Sequence, residues 1–405
     1  KAKSENPEGR RGAGGAHEKV AGKPEGTGSR SRCFPRAGGG AGLKFQFLLK
    51  VLDAGHAVAY SFPGMMPALA IPDASPAVVR FLSDGLDRVG ERFRDQIVSD
   101  TPGIDQLVNH VERYRGKMLR PTLVFLSGLA VGGGDPEELG PRAVDELVTV
   151  ATVLEMIHIA TLVHDDVLDE SSTRRGAATV NRLRGTEAAV VFGDYLISQA
   201  FHLCSSLDSQ RTALRVGEVT SRVCEGEMLQ LARRGDPALG RDAYFAIIER
   251  KTAALIAVAA ELGALHAGGG PAQTRAMHRY GVSVGSAFQI QDDLLDLTGD
   301  ADVVGKDLGK DLEKGKVTLP VVHYLERAAG EERAALERLV REDRPLNGTR
   351  RSVLAQLEAA GSIGHARQVA AALINDAKAE LGVLPDSAAR GHLEAIADAV
   401  LGREK

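Results

Sequence analysis

Tryptophan is absent from this chain, and aromatic residues make up only 4% of it. A core without large rings must be filled by Ala, Leu and Val, a composition that favours packed helices. Cysteine is scarce as well: Cys33, Cys204 and Cys224 stand apart, with no CxxC spacing. That speaks against a thiolate zinc site and a disulfide framework, and it fits a reducing cytoplasm. Excess positive charge is missing, the formal net charge being −4, so no nucleic-acid partner is expected. No uninterrupted apolar run reaches the length that spans a bilayer. The mildly apolar segment 43–70 is broken by Lys44, Lys50 and Asp53 and starts too late for a signal peptide.

What is present is a 43% hydrophobic chain of 405 residues, ample for a large core. Residues 1 to about 42 hold 11 glycines and 9 Lys or Arg against 4 Glu, with no hydrophobic period. They read as a disordered basic tail, and residues 1–75 together as a poorly structured extension. Met65-Met66 precede the first periodic segment, which suggests a natural start near there. The alternative is a tail that docks on anionic surfaces.

From Pro76 onward apolar residues recur every three or four positions, as in Val78, Phe81, Leu82, Leu86, Val89, Phe93 and Ile97. The pattern predicts helices at 77–97, 121–131, 142–170, 186–207, 211–231, 242–266, 271–299, 317–329, 331–341, 349–359, 363–382 and 385–402. Breakers such as Gly132-Gly133-Gly134 and Gly268-Gly269-Gly270-Pro271 separate them. Residues 76–405 are therefore expected to form one all-α bundle around a central cavity, with no strand of useful length.

Two DDxxD boxes stand 127 positions apart, Asp165-Asp166-Val167-Leu168-Asp169 and Asp292-Asp293-Leu294-Leu295-Asp296. On a helix the first and last carboxylates of each leave one face a turn apart. A lone Asp pair at that spacing is more often a solvated helix face. Here both boxes follow two turns of apolar sequence and the whole pattern repeats, which favours function. Carboxylates grouped this tightly repel unless a cation sits between them, and hard oxygen ligands suit Mg²⁺. Two facing boxes would grip a diphosphate through bridging ions.

Cationic residues surround them. Lys117 and Arg120 precede Pro121, a residue suited to a first helical turn, where free N–H groups favour anions. Arg174 and Arg175 follow the first box. The loop from Gly305 to Lys316 reads either as an ordinary solvated loop or as a mobile flap carrying Lys306 and Lys316 inward. Lys251-Thr252 open an apolar stretch, and a lysine there needs an anionic partner. Gln289 lies three residues before Asp292 and offers a carbonyl oxygen on the box face. His158 lies two turns before Asp165; taken alone, such a residue is more often a satisfied core histidine than a ligand contact. His164 points away from that face.

In order, the chain carries a GKxLRP segment, IHxxTLxHDDxxDxSxxRRG, KT, FQxxDDxxD and GKxxGxDxxxGKxTLP. In this it closely resembles the trans-polyprenyl diphosphate synthases of the long-chain type, over about residues 77–402. The resemblance implies an isoprenoid synthase-like all-α fold, a homodimer, and condensation of isopentenyl diphosphate with an allylic diphosphate. It implies Mg²⁺, three ions per loaded site, on Asp165, Asp169 and Asp292, supported by Asp166, Asp293 and Asp296. Arg174, Lys251, Lys306 and Lys316 would bind the allylic diphosphate, with Thr252 and Gln289 beside the developing cation. Lys117, Arg120, His158 and Arg175 would bind isopentenyl diphosphate, which reverses the bland reading of His158. Arg115 and Met118 depart from the pattern of many relatives without touching Lys117 or Arg120.

The growing tail is expected to run beside the helix of the first box. Ala160 and Thr161 lie one turn before Asp165 and Ile157 two turns before. Short-chain synthases resemble one another in an aromatic at one of the first two positions; none stands here. A heptaprenyl to decaprenyl product is therefore expected, with geranylgeranyl or farnesyl as the alternative. A class I terpene cyclase would lack the GKxLRP region, and a non-catalytic subunit would lose acidic boxes. At most peripheral membrane contact is expected, for product release.

Overall fold

The computed structural model describes residues 75–114, 116–299, 309–342 and 349–402. The sequence-predicted extension up to residue 74, Arg115 and Lys306 lie outside the described residues. The helices are α1 (Pro76–Gln96), α2 (Ile104–Val111), α3 (Leu119–Val131), α4 (Pro141–Leu168), α5 (Val180–Arg184), α6 (Thr186–Cys204), α7 (Gln210–Ala232) and α8 (Arg241–Ile248). They continue with α9 (Ala254–His266), α10 (Pro271–Thr298), α11 (Lys310–Glu313), α12 (Leu319–Arg327), α13 (Gly330–Arg341), α14 (Thr349–Ala359), α15 (Ser362–Glu380) and α16 (Ala388–Leu401).

Their ends follow local chemistry. Pro141 and Pro271 sit in the first turns of α4 and α10, where a missing N–H costs nothing. Ser209 and Ser387 cap α7 and α16 by accepting from the N–H groups of Thr212 and Arg390. α3 runs into Gly132-Gly133-Gly134, of which Gly133 and Gly134 take positive φ.

α4 is buried on nearly every side, from Leu147 through Val163, as befits a helix that is apolar all round. It packs chiefly on α6, while α9 lies between α3 and α10. α4 is long and apolar enough by composition to cross a bilayer, which the sequence reading had discounted, yet 78% of its apolar window is buried inside the fold. Close helix approach depends on missing side chains: a Cβ on Gly263 of α9 would come within 2.2 Å of the Val124 carbonyl oxygen of α3.

Four departures from the sequence reading have local causes. The stretch 242–266 is not one α-helix, because a π-helical turn, Glu249–Ala253, separates α8 from α9. α3 begins at Leu119, so Arg120 lies inside its first turn rather than ahead of it. The short α2, α5 and α11 went unforeseen, being too brief for a periodic signal. A two-residue antiparallel ribbon, β1 (Thr173–Arg174) with β2 (Ala177–Ala178), also escaped the all-helical reading.

Candidate active site

The C-terminal ends of α4 and α10 each carry one acidic box. Asp169 is the capping residue of α4, and Asp292, Asp293 and Asp296 lie in the last turns of α10. A bridge runs between the two boxes. Lys316 Nζ lies 3.3 Å from Asp169 Oδ1 and 3.8 Å from Asp311 Oδ1, and the Asp311 N–H donates to Asp296 Oδ2 at 3.2 Å. The sequence-predicted inward reach of Lys316 is thus observed. Asp311 and Lys314 were missed, because a loop of alternating charges reads as solvated. Lys314 Nζ stands 3.1 Å from Asp169 Oδ1 and donates to its carbonyl oxygen at 2.9 Å.

Around the first box every carboxylate meets a cation. Asp166 is almost fully buried and accepts both Nε and Nη2 of Arg174, at 2.9–3.0 Å. Asp165 has Lys251 Nζ at 3.9 Å, and Lys251 also pairs with Glu227 of α7. The anionic partner that Lys251 requires is therefore Glu227 together with the box, and Glu227 was not foreseen. The π-helical turn carries Lys251 and Thr252; such turns inserted between α-helices are frequent at functional sites. Burial pushes the Asp165 carboxyl up despite Lys251. Burial acts on Asp169 in the same sense, but Lys316 and Lys314 outweigh it and hold that carboxyl below its usual range.

The second box is satisfied differently. Asp293 accepts from the Tyr244 hydroxyl at 2.6 Å and from the Gln289 amide at 2.8 Å. The Gln289 carbonyl, expected to face the site, instead accepts from Thr252 Oγ1 at 2.8 Å. Thr252, Gln289, Asp293 and Tyr244 thus form one hydrogen-bonded chain. Burial and the neighbouring Asp311 push Asp293 well above the carboxylate range and Asp296 up to about 7. Burial, opposed by Lys316 and reinforced by Asp292, also raises Asp311.

A cationic pocket lies on the other side of Asp166. Arg175 and Gly176 turn the two-residue ribbon with φ of 50° and 75°, both left-handed as a tight hairpin turn requires. The turn separates two adjacent arginines: Arg174 goes to Asp166, while Arg175 Nη1 donates to the Tyr114 carbonyl at 2.5 Å. The Arg175 guanidinium covers Gly116, where an added Cβ would fall 2.2 Å from Nη2. The glycine before Lys117 is needed for that approach. Arg120 is half-buried, its buried Nε lacks a hydrogen-bond partner, and desolvation lowers its pKa to about 10 against the opposing charge of Glu155. Glu155 lies one turn before His158 and is almost fully buried; the sequence reading did not single it out. Burial first, then Arg120, Arg175 and Arg174, hold His158 well below the usual imidazole range, hence neutral. Met118, Glu170 and Arg175 are the described non-glycine residues with positive φ, and all three flank this site, where such strain tends to collect.

Of the residues placed beside the growing tail, Ala160 and Ile157 are fully buried, and Thr161 is partly exposed with its hydroxyl on the His158 carbonyl. His164 turns to the Val190 carbonyl of α6, away from the box. Among the described residues no three His, Cys, Asp or Glu side chains converge closely enough to hold an ion unaided. The donors are nevertheless hard oxygens, and burial raises the carboxyls of Asp165, Asp293, Asp296 and Asp311. That chemistry suits a divalent cation whose remaining ligands come from a diphosphate.

The chain matches the family described as polyprenyl synthetase over residues 101–357. It is 36% identical over 319 residues to the octaprenyl diphosphate synthase of Escherichia coli (strain K12), covering 78% of this chain and 95% of that relative. It is also 36% identical, over 327 residues, to a short chain isoprenyl diphosphate synthase of Methanothermobacter thermautotrophicus, again covering 78% and 95%. A crystal structure of a polyprenyl synthase from Caulobacter crescentus CB15, complexed with calcium and isoprenyl diphosphate, superposes with a TM-score of 0.74 at 32% identity, covering 81% of this chain and 98% of that one. The chain belongs to the polyprenyl synthetase family.

Proposed function

We propose that the protein is a Mg²⁺-dependent trans-prenyltransferase that condenses isopentenyl diphosphate head-to-tail onto an allylic diphosphate, giving a heptaprenyl to decaprenyl product. The observation that carries this reading is the pair of boxes joined through Lys316 and Asp311, with a separate pocket of Arg120, His158 and Arg175 beside them. One site suits a metal-bound leaving diphosphate, and the other a second diphosphate that stays on its substrate.

Asp165, Asp169 and Asp292 are the proposed Mg²⁺ ligands, supported by Asp166, Asp293 and Asp296. Three ions bound there would neutralise the charge that grows on the leaving diphosphate. Lys251, Lys316, Arg174 and, outside the described residues, Lys306 hold that diphosphate by charge-assisted hydrogen bonds. The allylic C–O bond breaks with its electron pair going to oxygen. Thr252, whose hydroxyl donates to the Gln289 carbonyl, keeps its oxygen lone pairs for the cationic carbon, and Gln289 fixes that hydroxyl. Lys117, Arg120, His158 and Arg175 orient isopentenyl diphosphate so that its alkene forms the new C–C bond. A proton then leaves to give a trans alkene, and the released diphosphate accepts it. Neutral His158 serves as a hydrogen-bonding residue and adds no further charge to the cationic pocket.

Ala160 and Thr161 support a long product, because neither position carries an aromatic ring that would block a growing tail. The short-chain relative at equal identity supports the alternative, geranylgeranyl or farnesyl diphosphate. A homodimer is supported by large apolar side chains exposed on α6 (Val191, Phe201) and on α7 (Leu214, Met228, Leu231), Val191 and Met228 being 67% and 66% exposed. The free thiols of Cys204 and Cys224 support a cytoplasmic setting, with no more than peripheral membrane contact at product release. Incubation with Mg²⁺, labelled isopentenyl diphosphate and a series of allylic primers tests the proposal. Consumption of label into a long polyprenyl product is expected; no consumption overturns it.

A further inference from the structure

Lys314 is assigned no role by the motifs, yet it sits closer to the first box than Lys316 or Lys251 does. Its ammonium lies 3.1 Å from Asp169 Oδ1 and 2.9 Å from the Asp169 carbonyl oxygen. That carbonyl ends α4, so Lys314 both satisfies a free helix acceptor and sits at the negative pole of the helix. Lys316 reaches the same carboxylate at 3.3 Å. Asp169 thus faces two ammonium groups.

The backbone around Lys314 is tied down. Arg234 Nε donates to the Lys314 carbonyl at 2.7 Å, and the Gly235 N–H donates to Gly315 at 2.8 Å. Gly315 takes φ of 64°, and a Cβ there would meet Gly235 N and Val340 O at 3.0 Å. The end of α7 therefore fixes the turn from which Lys314 reaches the box.

We propose that Lys314 is a positioning residue that holds Asp169 in the resting enzyme and couples metal binding to diphosphate binding. This rests on the reading of Asp169 as a Mg²⁺ ligand. An ion arriving alone must compete with two ammonium groups for that carboxylate. An ion arriving with a diphosphate brings the anion onto which Lys316 can move, while Lys314 keeps the α4 carbonyl. The latch thus disfavours metal binding to the empty site and leaves the loaded site undisturbed.

Calorimetric titration of Mg²⁺ into the full chain, with and without an unreactive allylic thiolodiphosphate, tests this. Lys314→Gln is expected to bind Mg²⁺ alone roughly three- to fivefold more tightly than wild type, the worth of one partly exposed ion pair. With the thiolodiphosphate present the two proteins are expected to bind equally, and Lys314→Arg is expected to restore the wild-type value. Lys314→Met, which keeps the apolar stem, replaces the Gln variant should that fail to fold. Unchanged affinity for Mg²⁺ alone, or equal tightening with and without the thiolodiphosphate, overturns the latch. Wild type that fails to bind Mg²⁺ even with the thiolodiphosphate overturns the prenyltransferase reading instead, so the two failures are distinct.

Discussion

The two DDxxD boxes are identical in pattern and opposite in chemistry. At the second position of the motif, Asp166 is held by the Arg174 guanidinium, whereas Asp293 is held by a phenol and an amide. At the fifth, Asp169 meets two lysines, whereas Asp296 accepts backbone N–H groups of Lys310 and Asp311. In the first box Lys316 and Lys314 overcome burial and hold Asp169 below the usual range. In the second box burial and the neighbouring Asp311 raise Asp293 and Asp296, against the neutral donors that pull both down. The motif fixes where oxygens stand; the neighbours decide whether they carry charge. The second box therefore has the larger unmet demand for a cation.

The largest effect should come from the leading carboxylates. Asp165→Asn and Asp292→Asn are each expected to lower kcat by about 10²–10³-fold, as loss of one group stabilising transition-state charge does. Turnover of labelled isopentenyl diphosphate at saturating Mg²⁺ measures this. If only the first-box variant is impaired, the second box is structural and the comparison breaks. Next in size is Arg174→Gln, which leaves the buried Asp166 without its countercharge. A stability loss of about 3 kcal/mol is expected, read as a lower Tm without Mg²⁺. A Tm unchanged from wild type would mean that the first box does not depend on cations.

The third effect depends on pH. The folded pKa of Asp296 is about 7, against 3.8 for the free group. Between those values the folded chain keeps a proton that the unfolded chain has released, so stability falls as pH rises through that window. The penalty is absent below about pH 4 and complete above about pH 7. Asp296→Asn is therefore expected to raise the metal-free Tm near pH 8 and to leave it unchanged near pH 4. Asp169→Asn is expected to act in the opposite sense near pH 8, because it removes a carboxylate that folding favours in its charged form. Unfolding scans of both variants at the two pH values decide it; equal signs near pH 8 would erase the contrast.

Much of this was legible in the sequence, and the rest was hidden for identifiable reasons. The long helices follow from apolar periodicity, with α4 and α10 starting at the prolines that announce them. Both boxes and the residues Lys251, Arg174 and Arg175 could be placed in order by their motifs. The π-helical turn at 249–253 could not, since its mostly polar residues Glu249 to Thr252 read as a further turn of the same helix. Glu155, Glu227, Tyr244, Asp311 and Lys314 were missed because each acts through a partner distant in sequence. Glu155 did leave a trace, as an acid within the otherwise apolar run that leads to His158. Gln289 was found but its carbonyl misdirected, because only the fold brings Thr252 to it.

The finest test concerns Tyr244, whose hydroxyl gives the second box its shortest neutral hydrogen bond, 2.6 Å to Asp293. Tyr244→Phe keeps the ring and removes that donor. A carboxyl oxygen deprived of a neutral donor favours its proton more strongly, so Asp293 should be still harder to ionise. Metal must then displace that proton at greater cost, and half-maximal activity should require more Mg²⁺, by a few-fold, near pH 7. The shift should shrink as pH rises, because alkali removes the proton independently of the tyrosine. The first box shares no partner with Tyr244, so affinity for isopentenyl diphosphate should hold. Mg²⁺ titrations of activity at two pH values read both quantities. A shift that is the same at each pH would mean that Tyr244 only shapes the second box, and that its protons do not set the demand for metal.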